Sequence, residues 1–314
     1  NLVAYAWGLR NLKKDDEVVL TLMEHHSDIV PWEIVSGING FTLKYGPLND
    51  DGTLNYESFE RSVSDKTKIV CMPHVSNVTG IINDVKRIAK VAHDHGALLL
   101  VDGAQSVPHM PVDVKALDVD FLAFSGHKML GPTGIGVLYG KREILEKMAP
   151  YQGGGEMIKS VSYGSPAGHC SISWNALPWK FEAGTPNTCG GVGLMKAVEY
   201  LKRIGIENVE AHEKMLTGYA LQRLSECGKV KAYGSSDATI KCGIIPFGVE
   251  GLSSHDVALF MDNYGIMIRS GFHCAQPLHE ALKLKSSSRA SFYVYNTREE
   301  IDRFVEVLKE LERF

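Results

Sequence analysis

Residues 68–106 read KIVCMPHVSNVTGIINDVKRIAKVAHDHGALLLVDGAQS, and this stretch decides the fold of the chain. Two near-continuous apolar runs, KIVCM and ALLLV, are typical of strands that are buried on both faces. The apolar residues between them recur at helical spacing: Val85, Ile88, Ala89 and Ala92. An Asn-Asp pair can cap this helix, and Gly96 can end it. A strand, a helix and a second strand form a βαβ unit, so we predict parallel strands.

Two further runs show the same pattern, and each also ends in polar residues. They are EVVLTLMEHH at 17–26 and FLAFSGHK at 121–128. We therefore expect an α/β fold with a mainly parallel central sheet flanked by helices. Ligands of such sheets bind just beyond the carboxyl ends of the strands. The polar residues there should therefore converge: His25, Asn77, Asp102, Gln105 and Lys128.

Composition excludes several classes of partner. The chain has 314 residues, 44% of them apolar and 22% charged, with a net charge of -4. An acidic balance without basic blocks argues against nucleic acid and anionic membranes. No apolar run approaches the ~20 residues that cross a bilayer. The six cysteines are scattered without a CxxC pair, which favours reduced thiols in a cytoplasmic protein over disulfides or a metal site.

The second half of the chain has a different organisation. Residues 149–191 are rich in Gly, Ser and Pro and are predicted to be a long loop, which in a compact domain is usually functional or interface-forming. Two helical patterns follow, and short strands then alternate with helices. We predict a large cofactor-binding domain at 1–204 and a smaller C-terminal α/β domain at 205–314.

The predicted rim of the sheet carries an acid, an amine and an imidazole. Asp102 directly follows a buried strand, where a carboxylate is costly unless a positive group meets it. Lys128 also follows a strand, and a partly desolvated lysine there has a lowered pKa and can form a Schiff base. An Asp facing a ring nitrogen and a Lys facing an aldehyde are typical of pyridoxal phosphate sites. His25 could then stack on the ring, and Ser125 and His127 could reach a phosphate.

One cysteine near the C-terminus raises a separate question. Cys274 lies in IRSGFHCAQPLHEAL at 268–282. By itself it could be a packed thiol, a metal ligand or a nucleophile, and free cysteines are among the most buried residues. The stretch alone leaves all three open.

Seven motifs in order resemble one family. MEHHSDIVPW, VSNVTG, VDGAQSVPH, SGHKMLGPTGIGVLYG, FEAGTPN, DNYGIMIRSGFHCAQP and SRASFYVYNT are similar to those of the Suf-type cysteine desulfurases. These enzymes belong to the class V aminotransferase group of fold-type I pyridoxal phosphate enzymes. The resemblance covers the chain from Asn1 to Phe314. It also implies a further N-terminal segment in relatives, whose turn helps to hold the cofactor phosphate.

The resemblance implies roles at the cofactor. Lys128 would form the Schiff base, Asp102 would pair with the pyridine nitrogen, and Gln105 would meet the phenolic oxygen. His25 would stack on the ring and Asn77 would contact cofactor and substrate. Ser125 and His127 would contact the phosphate. Thr185 would reach the phosphate of the partner subunit, which makes the active site a feature of a homodimer.

The resemblance also implies the substrate side of the site. Arg289 would grip the carboxylate of L-cysteine through its planar two-donor fork. Cys274 would be the nucleophile that takes the sulfur as a persulfide while alanine leaves, and Arg269 would shape its loop. His273 is not expected to be the base, because neighbours on an extended segment point in opposite directions. His26 is expected either to support the residues that line the site or to be a packing residue.

These roles imply a cysteine desulfurase that passes sulfur to a Suf-type acceptor protein for iron–sulfur cluster assembly. Two alternatives use the same fold. One is a sibling enzyme, either a selenocysteine lyase or a cysteine sulfinate desulfinase. The other is a catalytically silent scaffold subunit. A role for His255 in meeting the acceptor rests on the resemblance alone.

Overall fold

The strands form three sheets in a computed structural model, which describes residues 1–164 and 168–311. The strands of the described residues are β1 (Glu17–Thr21), β2 (Thr42–Gly46), β3 (Thr67–Pro73), β4 (Leu98–Asp102), β5 (Phe121–Ser125), β6 (Gly136–Gly140), β7 (Ile158–Tyr163), β8 (Cys170–Trp174), β9 (Val230–Ala232), β10 (Ile244–Val249), β11 (Arg269–Gly271) and β12 (Ser287–Ser291).

Helices cover the sheets and connect their strands. The α-helices of the described residues are α1 (Leu9–Asn11), α2 (Val30–Asn39), α3 (Tyr56–Ser62), α4 (Val85–Asp94), α5 (Val114–Leu117), α6 (Arg142–Lys147), α7 (Thr188–Ile204), α8 (Ile206–Leu224), α9 (Ser254–Asp262), α10 (Gln276–Ala281) and α11 (Arg298–Leu311). A π-helical stretch, Val3–Gly8, precedes α1. Two 3-10 turns, His26–Asp28 and Gly126–Lys128, follow strands β1 and β5.

The large sheet has the strand order β2-β1-β3-β4-β5-β6. All neighbouring pairs are parallel except β5 and β6, so the predicted, mainly parallel α/β fold is confirmed. Asp102 pairs in register with Pro73 on one side and Ala123 on the other. The central strands therefore end at one rim, and the residues that follow them share that edge.

Helix α4 connects β3 to β4 as predicted. The Asp84 side chain accepts a 3.0 Å hydrogen bond from the backbone N–H of Arg87 and so caps the first turn. The four apolar residues at helical spacing are all buried: Val85, Ile88, Ala89 and Ala92. Gly96 follows the helix with φ +70°, a left-handed conformation that favours glycine. The amphipathic pattern therefore packs this helix on the sheet.

The smaller sheet is antiparallel, with the order β11-β12-β10-β9. Its own apolar core joins β10 to α8, α9 and α11, for example through Phe247, Leu216, Val257 and Phe304. The segment after β11 turns back to the first sheet, because Ala275 and Leu278 pack in the core of that sheet. This return brings the Cys274 loop to the rim of the large sheet.

The prediction of a continuous loop at 149–191 is wrong. The region contains an antiparallel hairpin of β7 and β8, with Ile158 paired to Trp174 and Tyr163 paired to Cys170. Alternating apolar residues in IKSVSY and CSISW favour strands despite the glycines around them. Both strands are largely exposed, and Tyr163 keeps 84% of its surface accessible.

None of the helices within residues 1–164 and 168–311 is both long and apolar enough to span a bilayer.

Candidate active site

A cavity of about 500 Å³ opens at the carboxyl end of the large sheet. It collects residues that lie far apart in the sequence, on both sheets. Nine of the eleven side chains predicted for the site line it: His25, Asn77, Asp102, Gln105, Ser125, His127, Lys128, Arg269 and Arg289. The convergence expected from parallel strands therefore occurs, and the smaller sheet adds two arginines to it.

Lys128 places an amine at the wall of the cavity. It ends the 3-10 turn after β5 and is largely buried. Burial lowers the pKa of its ammonium group, the carboxylate of Asp102 opposes this shift, and the guanidinium of Arg289 adds to it. A lysine with a lowered pKa can act as a nucleophile or as a base.

Asp102 is the last residue of β4. Its Oδ1 accepts a 2.8 Å hydrogen bond from the backbone N–H of Ala104, which fixes the carboxylate at the strand end. The negative charge of this carboxylate also partly offsets the lowering of the Lys128 pKa by burial. The carboxylate of Asp102 and the amine of Lys128 therefore influence each other within the cavity that both line, as the sequence predicts.

His25 follows β1 and presents a neutral ring. Its Nδ1 accepts a 3.1 Å hydrogen bond from the backbone N–H of Ser27, which leaves the ring proton on Nε2. Burial lowers the pKa of the imidazole, and the nearby charge of Lys128 lowers it further. Nε2 of His25 is therefore the ring nitrogen through which a proton can be exchanged.

Arg289, on β12, lines the cavity and carries a buried donor. Its Nη1 donates a 2.7 Å hydrogen bond to the backbone oxygen of Asn77, whereas its buried Nε has no partner among the described residues. Burial and the charge of Arg269 lower the pKa of its guanidinium to about 10. A guanidinium at the wall of the cavity suits a carboxylate bound there.

Cys274 lies beside the cavity, in the loop between β11 and α10. The Nη2 of Arg269 is 3.5 Å from its Sγ. The thiol is partly exposed, and both Cys274 and His273 have left-handed backbones, with φ 60° and 52°. Non-glycine residues rarely adopt this conformation, and such strain clusters at functional sites.

His273 faces away from the cavity. Its Nε2 lies 3.0 Å from both the backbone oxygen and the Oγ of Ser287. Burial lowers the pKa of this imidazole to about 3. These contacts engage the ring with Ser287 and not with Cys274. The extended backbone from which the sequence argument started is absent, because His273 and Cys274 are both left-handed.

Thr185 does not line the cavity. It lies exposed in the segment between the 3-10 turn Trp179–Phe181 and α7. Its predicted role concerns the partner subunit of a dimer, so this residue stays a prediction.

Sequence reasoning missed two buried acids behind the rim. Oε1 of Glu24 accepts hydrogen bonds from Thr21 N and Oγ1, at 3.1 and 2.6 Å. Oδ1 of Asp28 accepts one from Trp32 Nε1 at 3.2 Å. Burial raises the pKa of both carboxyl groups. The available signal was their occurrence in the quoted motif MEHHSDIVPW, where only the histidines were assigned.

The donor set of the cavity fits pyridoxal phosphate. Lys128 suits the aldehyde, Asp102 suits a protonated ring nitrogen, and the guanidinium of Arg289 suits the carboxylate of an amino-acid substrate. By contrast, no group of three or more His, Cys, Asp or Glu side chains within 1–164 and 168–311 could hold a metal ion.

Comparisons with known proteins agree with this fit. The family model "Aminotransferase class-V" matches residues 1–304. A probable cysteine desulfurase of Halalkalibacterium halodurans is 51% identical over 314 residues, which cover 100% of this chain and 75% of that protein. A cysteine desulfurase of Haloferax volcanii is 49% identical over 308 residues, covering 98% and 71%.

Solved structures show the same relationship. The apo cysteine desulfurase of Thermococcus onnurineus NA1 is similar with a TM-score of 0.93 at 40% identity, covering 99% of this chain and 76% of that one. A cysteine desulfurase of Escherichia coli is similar with a TM-score of 0.90 at 36% identity, covering 98% and 75%. This chain therefore belongs to the cysteine desulfurases of the class-V aminotransferase family, whose cofactor is pyridoxal phosphate.

Proposed function

We propose that this protein is a pyridoxal phosphate-dependent cysteine desulfurase that converts L-cysteine to L-alanine and keeps the sulfur as a persulfide on Cys274. One observation carries the proposal. The thiol of Cys274, in contact with Arg269, lies beside the cavity that both Lys128 and Asp102 line. Family membership supports the reaction, and this geometry supports the assignment of the residues.

Lys128 and Asp102 would act on opposite sides of the reacting centre. When bound, pyridoxal phosphate supplies an electron-withdrawing ring that stabilises negative charge at the substrate Cα. Asp102 would hold the ring nitrogen protonated, and Ser125 and His127 would hold the phosphate. Burial lowers the pKa of Lys128, which favours its role as the base that removes the Cα proton.

Arg289 and Asn77 would orient the substrate. The guanidinium is already fixed by its bond to the Asn77 carbonyl, so it would need little further ordering to bind a carboxylate. A carboxylate that pairs with a buried guanidinium is held firmly in position and direction. The thiol of the substrate would then extend toward the Cys274 loop.

Cys274 would react as a thiolate and accept the sulfur of the substrate. Its Sγ attacks the substrate sulfur, an S–S bond forms, and the Cβ–S bond breaks with its electron pair left on carbon. The Cβ and the Cα of the substrate each take up a proton, and the product leaves as alanine. His25 or Lys128 can supply a proton. The cationic donor Arg269 lies 3.5 Å from Sγ and matches an anionic sulfur.

Mass spectrometry tests the assignment directly. After incubation with L-cysteine, the peptide that contains Cys274 should gain one sulfur atom. Cys274→Ser should keep the yellow cofactor and lose alanine production, whereas Cys189→Ser, at an exposed cysteine, should retain it. Unchanged alanine production by Cys274→Ser would remove this thiol from the mechanism.

The same assay separates the alternatives. Turnover of selenocysteine or of cysteine sulfinate well above that of L-cysteine would identify a sibling enzyme. A silent scaffold would lack a visible absorbance band that borohydride abolishes.

We also propose a homodimer in which Thr185 reaches the phosphate of the partner's cofactor. An exposed apolar surface on the β7–β8 hairpin supports a second copy as its occupant: Val161, Tyr163, Ile172 and Trp174. Sedimentation should detect a dimer, and Tyr163→Glu should weaken it. A Suf-type sulfur acceptor and a role in iron–sulfur assembly remain part of the proposal.

Two further assignments belong to this proposal. The six cysteines, all of which lie within the described residues, form no disulfide, which suits the reducing cytoplasm. The separate core of the smaller sheet supports a domain division near residue 205.

A further inference from the structure

The loop that carries Cys274 has a strained backbone. His273 and Cys274 are consecutive left-handed residues, and neither is a glycine. Such conformations persist only when the surrounding structure holds them. The loop must therefore be anchored by contacts outside itself.

Three hydrogen bonds from the large sheet's side of the site anchor this loop. The backbone N–H of His26 donates to the carbonyl of Cys274 at 2.7 Å. The backbone N–H of Gln276 donates to Nε2 of His26 at 3.1 Å. The side chain of Asn77 donates to the carbonyl of His273 at 2.7 Å. His26 therefore makes two of the three contacts, one through its backbone and one through its ring.

The position of His26 links the loop to the cavity wall. It begins the 3-10 turn His26–Asp28, directly after His25, which lines the cavity. His25 thus lines the cavity, and the next residue, His26, contacts the Cys274 loop. Any displacement of this segment would move both.

The ring of His26 acts as an acceptor in this arrangement. A backbone N–H can only donate, so Nε2 must carry the lone pair and Nδ1 must carry the ring proton. This requirement gives the residue a chemical role that an apolar side chain of similar size lacks.

We propose that His26 is a positioning residue, which holds the Cys274 loop in its strained conformation by accepting the Gln276 N–H and thereby delivers the sulfur nucleophile to the cavity. The hydrogen bond between His26 and Gln276 is independent of the reaction, whereas its effect on turnover rests on the proposed function.

Two substitutions at His26 test whether the residue acts as a hydrogen-bond acceptor or through the packing of its ring. His26→Leu removes the acceptor and keeps apolar volume, whereas the Oε1 of His26→Gln can replace Nε2. In His26→Leu the kcat for alanine production should fall about two- to tenfold, the factor expected for one ordinary hydrogen bond, with KM nearly unchanged. His26→Gln should retain most of the wild-type kcat.

Gln276→Pro removes the same bond from the donor side. Gln276 is the first residue of α10, where proline is tolerated, and Ala275 lies outside the α region at φ -142° and ψ 61°. This variant should resemble His26→Leu, and combining the two should add little. It also keeps the proposal testable if a His26 variant does not fold.

Alkylation of Cys274 by iodoacetamide, followed by peptide mass, provides a readout that needs no turnover. A loosened loop should change the rate at Cys274 severalfold in His26→Leu and in Gln276→Pro. The exposed thiols of Cys170 and Cys189 serve as internal controls and should react at unchanged rates. This readout would still report on the loop if alanine production failed.

Either of two results would overturn the proposal. One is a wild-type alkylation rate and kcat in His26→Leu or Gln276→Pro. The other is an impairment of His26→Gln as deep as that of His26→Leu, which would assign the effect to ring packing.

Discussion

Asp28 shows how a single buried residue can link the stability of the protein to pH. It lies 8% exposed against Trp32, and burial together with the charge of Asp102 raises the pKa of its carboxyl group from 3.8 to about 7. The folded protein therefore holds a proton that the unfolded chain releases at lower pH. This contribution to stability is fully present below about pH 4 and is lost as the pH rises through 7.

Asp28→Asn should remove this dependence. The amide oxygen can still accept from Trp32 Nε1, and the amide does not titrate. From about pH 4 to 7, wild type should lose stability relative to Asp28→Asn by up to ~1.4 kcal/mol per pH unit. Urea unfolding of both proteins at four pH values measures the difference. A difference that stays constant with pH would contradict the buried proton.

Arg289→Lys should mainly affect substrate binding. Lysine keeps the positive charge but loses the planar fork that contacts Asn77 at the wall of the cavity. The KM for L-cysteine should rise about tenfold or more, since charged hydrogen bonds contribute ~1.5–3 kcal/mol. Steady-state kinetics measure this, with the exposed Arg298→Lys as control. An unchanged KM would show that the carboxylate binds elsewhere.

At the scale of elements, the turn after β3 connects the two sheets. Gly80 has φ +70°, and a Cβ built there would lie 2.7 Å from the carbonyl oxygen of Ile244 on β10. The same turn carries Asn77, which contacts the Cys274 loop and Arg289. A glycine is therefore needed here both for its backbone conformation and for the close approach of β10.

Gly80→Ala and Gly96→Ala form a matched pair that separates these two reasons. Both glycines have φ +70°, but a Cβ at Gly96 meets nothing within 4 Å. Gly96→Ala should cost about 1–2 kcal/mol for the left-handed backbone alone. Gly80→Ala should cost about 1–3 kcal/mol more because the neighbouring strand must move. Equal losses in denaturant unfolding would mean that β10 does not approach this turn closely.

At the scale of the whole molecule, a buried polar contact joins the segment after β4 to α8. Nδ1 of His109 lies 2.7 Å from Oε1 of Glu213, and Oε2 of Glu213 accepts the N–H of Gly243 at 3.2 Å. Tyr293 adds a 2.9 Å bond from its hydroxyl to the carbonyl of Pro108. These bonds hold the smaller sheet, and with it Arg289, against the large sheet.

Glu213→Leu should loosen this junction more than Glu213→Gln. Leucine leaves both His109 and the Gly243 N–H without an acceptor, at a cost of about 1–3 kcal/mol each, whereas glutamine keeps one acceptor oxygen. Thermal or urea unfolding would rank the two variants. If the glutamine variant were the less stable one, the contact would not act through its acceptors.

The central βαβ unit could be predicted from the sequence because its signals are local. Apolar runs, helical spacing and capping residues act within a few positions, and parallel strands then bring Asp102 and Lys128 to one rim. The identity of the family was also readable, since its motifs are contiguous segments.

The hairpin at β7 and β8 could not be read in the same way. Its strands are short and exposed, so the burial pattern that identifies β3 or β4 is absent from them. Gly, Ser and Pro in the surrounding sequence favour turns, and cross-strand pairing outweighed that preference.

By itself, then, the sequence determined the parallel sheet, the amine and acid at its rim, and membership of the cysteine desulfurases. Only the tertiary structure decided which groups from distant segments complete the site. Asn77 and His273 are 196 positions apart, yet they share a 2.7 Å hydrogen bond. The buried protons of Glu24 and Asp28 and the acceptor role of His26 likewise depend on burial and on partners. Local sequence cannot encode these properties, because they arise only when separate elements pack together.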